Sequence, residues 1–124
     1  MRSLFLDAIE YKAEKPNKEA ESLKDCLVVL VTFEVGDTEK QVNKLLKEVD
    51  KTACEFKTKK LMLGPFAHLS ENLLKPKDAK ILLKYAEDRL RDKYELLVSE
   101  FGAEKGLLLN IKPGLSNIRF CHFN

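Results

Sequence analysis

The 124-residue chain has two histidines, and they divide the search for chemistry. His68 sits in Gly64-Pro65-Phe66-Ala67-His68-Leu69-Ser70, directly after a strand-like apolar run and before a helical pattern. In sheets with helical crossovers, ligands gather at the carboxyl ends of strands. An imidazole there can donate or accept a hydrogen bond with a sugar hydroxyl or a reacting carbonyl. The plainer alternative is a loop histidine bonded to backbone. His122, beside Cys121 near the end of the chain, reads as structural or solvated. Lys105 opens an otherwise apolar strand pattern after Phe101-Gly102. Its ammonium either snorkels to solvent or points into a cleft for an anionic or carbonyl group. Lys75, Lys77, Lys80, Lys84, Arg89, Arg91 and Lys93 could form a phosphate-binding face. Asp78, Glu87, Asp88 and Asp92 are intermixed with them, as on an ordinary solvated helix. The chain carries no Gly-rich phosphate loop, His-x-x-x-His pair, Gly-x-Ser-x-Gly or paired-cysteine metal motif. An enzyme built on it would work with neither a metal nor a charge-relay triad, and no cofactor is expected.

The elements that must position these groups follow from periodicity. Residues 3–13 begin as an apolar run and then alternate; the change of phase near Asp7-Ala8 predicts either a bend or two short strands. Glu14–Leu23 reads as an exposed connection. Residues 26–35 (CLVVLVTFEV) predict a central strand covered on both faces. Gly36-Asp37-Thr38 breaks that run, and Thr38 with Gln41 has the form of a capping box. Val42, Leu45, Leu46, Val49, Ala53 and Phe56 make one helical stripe. Residues 60–66 predict the next strand. Pro76 suits a first helical position for the stripe Ala79, Leu82, Leu83, Ala86, Leu90 and Tyr94. Three apolar segments follow at 95–101, 105–111 and 117–123, with Gly102 and Pro113-Gly114 read as hairpin-type turns. The order expected is ββ-(βα)2-βββ: an α/β fold, one three-layer domain over residues 1–124, with two helices packed on the sheet.

Composition bounds the class. With 44% hydrophobic and 34% charged residues the chain is ordinarily globular. No apolar run approaches the roughly 20 residues of a membrane span, so no membrane partner is expected, and the first residues lack a signal-peptide pattern. A formal charge of +2 neither demands nor excludes a polyanion. Cys26, Cys54 and Cys121, odd in number and without zinc or redox spacing, read as reduced thiols in a cytoplasmic protein.

The segment Pro65-Phe66-Ala67-His68-Leu69-Ser70 resembles the central motif of the N-terminal editing domain of archaeal threonyl-tRNA synthetases, in which a strand runs into Pro-(Phe/Tyr)-Ala-His-Leu-Ser. Leu73-Leu74 with Lys75-Pro76, Phe101-Gly102 followed by Lys105, and Ile9-Glu10-Tyr11 extend the similarity over most of the chain. The resemblance implies a D-aminoacyl-tRNA deacylase-like fold and hydrolysis of seryl-tRNA mischarged for threonine. It also implies tRNA as partner, the synthetase as a further one, and a homodimer. Carried over by motif, His68 and Lys105 line the pocket for the aminoacyl end, and Pro65, Phe66 and Ala67 help hold the terminal adenosine. The family mechanism relies on the tRNA's own terminal ribose hydroxyl and a water, so the protein positions and stabilises. There are departures. Of the family's first-strand His-Ser-Asp only Asp7 remains, in Phe5-Leu6-Asp7-Ala8, and the resemblance puts it, with Ala103, among the substrate-binding residues beside His68. Ala103 and Glu104 replace two aromatics before Lys105, and Pro113-Gly114-Leu115-Ser116-Asn117 replaces Gly-His-Pro and an acidic residue. A catalytically silent member that binds tRNA or a protein is the alternative, and the chain is either a free-standing relative or an excised domain.

Overall fold

The computed structural model describes residues 1–14, 21–99 and 106–124. Strands β1 (Arg2–Glu14) and β2 (Glu21–Thr32) are followed by α1 (Glu39–Glu55), β3 (Lys60–Pro65), α2 (Pro76–Leu90), β4 (Glu95–Val98), β5 (Gly106–Ile111) and β6 (Ile118–His122). All six strands form one sheet in the order β4-β3-β2-β1-β5, with β6 also on β1. β2, β3 and β4 are parallel, whereas β1 runs antiparallel to β2, β5 and β6. The two crossovers β2-α1-β3 and β3-α2-β4 step across the sheet in the same direction. Since such connections share one hand, both helices land on the same face.

Alternation along the strands sorts the core onto two faces. Leu27, Val29 and Val31 of β2 join Phe5, Leu61 and Leu63 under the helices, where Val42, Leu45, Val49, Ala79, Leu83, Ala86 and Leu90 meet them. Cys26, Val28 and Leu30 face the other way, with Leu6, Ala8, Tyr11, Ala13 and Met62. That second cluster contains no helix residue; Leu4, Leu23, Phe66, Leu97, Leu109 and Ile111 pack against it along the twisted and bent sheet. A bulge in β1 supplies part of the bend: pairing with β5 shifts between Ala8 and Glu10. The bulge leaves Ile9 exposed, and Leu4, Leu6 and Ala8 then share a face with Tyr11 and Ala13. The change of phase seen in the sequence is thus a bulge inside one continuous strand, and the expected leading pair of strands is β1 alone.

Helix α1 begins as expected. The Thr38 side chain caps the backbone N–H of Lys40 at 3.2 Å, and the Gln41 side chain accepts the Thr38 N–H at 2.8 Å. Pro76 opens α2.

Two further expectations need correction. The connection placed at Glu14–Leu23 is shorter, because Tyr11, Lys12 and Ala13 pair with Leu23, Ser22 and Glu21. Backbone ladder bonds extend the strands through polar side chains that carry no strand signal. The last three strands also do not form hairpins. β4 pairs with β3, while β5 and β6 lie end to end along the same edge of β1. At the second of these breaks the chain loops out and rejoins: Lys112 N–H donates to Asp7 O at 2.9 Å, and Asp7 N–H donates to Asn117 O at 2.9 Å. Asn117 Nδ2 closes the loop on Lys112 O at 2.8 Å. Gly114 there has φ +154°, and a Cβ would stand 2.6 Å from Asn117 Nδ2. The other turn residue, Gly102, lies outside the described residues.

Candidate functional site

The loop that carries His68 leaves the carboxyl end of β3 next to the carboxyl end of β2. Pro65 pairs with Val31. Phe66 is held at both backbone groups, its N–H donating to Val31 O at 2.8 Å and its carbonyl accepting from the Thr32 hydroxyl. Its half-buried ring packs against the second core cluster. With Phe66 anchored, Ala67 and His68 project as an exposed bend, and the imidazole stands edge-on to the Phe66 ring at 4.9 Å and 75°. Beyond His68 the chain doubles back along residues 33–35. Val35 N–H donates to Asn72 O at 3.1 Å, Leu74 N–H to Phe33 O at 3.0 Å, and Glu34 bridges to Leu73.

Glu34 ties this loop to the rest of the fold. Its Oε2 accepts the Ser70 hydroxyl at 2.7 Å, and Ser70 Oγ in turn accepts Asn72 N–H at 3.0 Å. The Met1 ammonium stands 3.0 Å from Oε1, Arg2 Nε 3.4 Å from Oε2 and His122 Nε2 3.7 Å from Oε1. Arg2 also reaches the loop directly, donating from Nη1 to Leu69 O at 3.3 Å. Burial by itself would raise the Glu34 pKa. The Ser70 hydroxyl, the Met1 ammonium and Arg2 outweigh it and hold the carboxyl below its ordinary value. Asp37 completes the cluster, accepting from the Met1 ammonium at 2.9 Å and from Glu34 N–H at 2.7 Å. An open pocket of about 230 Å³ adjoins it, lined among others by Gln41, Asn72 and His122.

The structure brings Pro65, Phe66, Ala67 and His68 together and separates Asp7 from them. Asp7 pairs with Leu27, which pairs with Leu61 at the start of β3, whereas His68 follows the end of that strand. The Asp7 carboxylate lies 3.6 Å from Lys112 Nζ. Lys105 and Ala103 lie outside the described residues. His122 is 41% exposed and belongs to the Glu34 cluster. Of the basic residues near α2, Lys84 pairs with Asp88 at 3.0 Å, Arg91 with Glu87, and Lys93 with Asp50 at 3.1 Å. The Arg89 guanidinium lies over the Tyr85 ring at 3.3 Å.

Sequence reasoning overlooked Glu34, Arg2 and Ser70 as the tether of this loop. One signal was present: Glu34 is a charged residue inside the apolar run 26–35, where only a paired carboxylate is tolerated. Cys26 is fully buried, and burial followed by Asp25 pushes its thiol up to about 11. It is therefore inert as a nucleophile. Among the described residues no three His, Cys, Asp or Glu side chains converge on a metal site, and no helix is long and apolar enough to cross a membrane. The loop offers an accessible imidazole on a well-anchored backbone. It can bind and orient a ligand by hydrogen bonding, with no hydroxyl or thiol bonded to His68 among the described residues.

The chain has relatives among known proteins. The chain spans 19–20% of the length of the curated relatives cited here. It is 31% identical over 118 residues to the threonine–tRNA ligase of Methanosarcina acetivorans, which covers 86% of this chain. It is 33% identical over 125 residues to that of Methanococcus maripaludis and 36% identical over 117 residues to that of Staphylothermus marinus, covering 90% and 88% of it. Among solved structures, a c-Myc DNA unwinding element binding protein superposes with a TM-score of 0.83, at 10% identity over 100% of this chain and 99% of that one. That likeness concerns the fold, which is the α/β, D-aminoacyl-tRNA deacylase-like fold expected from the sequence. The model of the archaea-specific editing domain of threonyl-tRNA synthetase matches residues 1–114, and this chain belongs to that family.

Proposed function

We propose that the chain is an aminoacyl-tRNA editing deacylase that hydrolyses seryl-tRNA mischarged for threonine, acting beside a threonyl-tRNA synthetase in the cytoplasm. Family membership over residues 1–114 supports proofreading of this kind. The single observation that carries the reading is the Pro65–Ser70 loop, anchored at Phe66 and Ser70 with His68 exposed between them. On this reading the Pro65–Ala67 segment helps hold the terminal adenosine, with the Phe66 backbone fixed by Val31 and Thr32, and His68 serves the aminoacyl ester together with Lys105, the role the family resemblance implies for it. The tRNA's terminal hydroxyl and a water do the rest, so catalysis is by positioning and electrostatics. Pairing with a second copy belongs to the same reading and is supported by Ile118 and Phe120, 61% and 57% exposed on the helix-free face. The replacement of the family's first-strand His-Ser by Phe5-Leu6 favours, as a second reading, a member that binds tRNA without cleaving it.

Incubation with seryl-tRNA for threonine tests the first reading, with His68→Ala as its control. The expected result is release of serine by the wild-type chain and a fall of about tenfold or more in the variant, the scale of lost general acid–base or hydrogen-bond assistance. Truncation in an exposed bend leaves the fold intact. Wild-type turnover by the variant removes His68 from the site. Binding without turnover by both proteins favours the silent member.

A further inference from the structure

Helix α1 presents a row of lysines that the editing reading has not used. Lys40, Lys44, Lys47 and Lys51 are all exposed, and their spacing of four, three and four residues puts them within about 60° of arc on one side. The row runs for about 16 Å, with steps of about 5–6 Å between neighbours. Of the acids on the helix, Glu48 accepts the Thr52 hydroxyl at 3.5 Å, and two are held by cations from other elements. Asp50 binds Lys93 and the Tyr94 hydroxyl, and Glu55 binds Arg119. Lys40, Lys47 and Lys51 have no ion pair among the described residues, and Lys44 reaches only the Asn124 carbonyl. On α2, by contrast, Lys77, Lys80 and Lys84 share a side with Asp88, which pairs with Lys84. Lys77 and Lys80 also have no ion pair among the described residues; what sets α1 apart is that no acid falls inside the arc of its four lysines. Its first turn adjoins the His68 loop: Gln41, next to Lys40, lines the same pocket as Asn72 and Glu34.

We infer that the Lys40–Lys51 row is a track for the phosphate backbone of the tRNA whose charged end lies at His68. A row of point charges with steps of the order of successive phosphates on a strand suits a polyanion of regular spacing. A point-charge ammonium binds phosphate without demanding sequence. The track rests on the editing reading only for the position of the aminoacyl end; binding of the tRNA body is a separate property.

The test replaces all four lysines (Lys40→Gln, Lys44→Gln, Lys47→Gln, Lys51→Gln) and compares a second variant with the same loss of charge on α2 (Lys75→Gln, Lys77→Gln, Lys80→Gln, Lys84→Gln). Glutamine keeps helix propensity, which circular dichroism checks. If the fourfold α1 variant loses helix, Lys47→Gln with Lys51→Gln serves in its place, with about half the effect. Binding of deacylated tRNA for threonine is measured across salt, and hydrolysis is measured on seryl-tRNA and on seryl-adenosine. The α1 variant is expected to bind tRNA about tenfold or more weakly, with its log–log salt slope reduced by about 3. Its kcat/KM falls on seryl-tRNA and stays at the wild-type level on seryl-adenosine, while the α2 variant loses about threefold or less. The track is overturned by α1 binding within about twofold of wild type, by an equal loss in the α2 variant, or by α1-dependent binding of anionic vesicles without tRNA binding. If the wild-type chain cleaves neither serylated substrate yet binds tRNA through α1, the editing reading fails and the track stands.

Discussion

Replacing Glu34 by glutamine tests whether the His68 loop is held by charge. Glutamine is nearly isosteric and can still accept the Ser70 hydroxyl, so the loss is the carboxylate's attraction for the Met1 ammonium and Arg2. Breaking a fully buried ion pair costs about 3–5 kcal/mol. Here Asp37 still faces the ammonium at 2.9 Å and Arg2 is 40% exposed, so the figure must be reduced. About 2 kcal/mol remains, or a fall in Tm of about 6–10 °C for a chain of this size. The pH dependence carries the sharper signature. Folding lowers the Glu34 pKa from its ordinary 4.5. Such a carboxylate adds stability above its unfolded pKa and loses it as pH falls through the folded value. The gap between wild type and Glu34→Gln is therefore full at neutral pH and narrows on acidification below about 4.5. Urea unfolding of both proteins at neutral and acidic pH measures it. A neutral-pH difference under about 0.5 kcal/mol, or two stability curves that stay parallel into acid, would refute the tether.

Leu45→Ala, in the centre of the helix-covered face and fully buried, should cost about 2–5 kcal/mol in the same unfolding assay. A value under about 1 kcal/mol would mean that α1 is not docked as described. Lys105→Ala should impair hydrolysis of seryl-tRNA. Ala103 stands where the family resemblance has a ring, and one methyl is worth only about 1–3 kcal/mol in an ordinary pocket. The wild-type chain should therefore separate seryl- from threonyl-tRNA less sharply than the family at large. Deacylation rates measured side by side decide this, and strong rejection of threonyl-tRNA would show that Ala103 does not line the pocket.

What could be read from residues alone was whatever depends on neighbours in the chain. The capping box at Thr38, the helical stripes of α1 and α2 and the proline that opens α2 are local patterns, and each is present; the covered strand expected over 26–35 is buried through Phe33, but ends at Thr32 and leaves Val35 60% exposed. The change of phase in β1 was equally legible, although periodicity cannot tell a bulge from a break. The His68 motif was visible for the same reason, being contiguous. Pairing depends on contacts distant in sequence. Apolar runs separated by Pro113-Gly114 look the same whether they fold into a hairpin or rejoin one edge of β1 end to end, and only the ladder decides. The Glu34 tether joins residues 1, 2, 34, 70 and 122, which no window of sequence spans. Asp7 shows the converse: a motif match placed it with His68, but an antiparallel register sets it at the opposite end of β3, because each strand step carries a residue about 3.3 Å further from its neighbour's end.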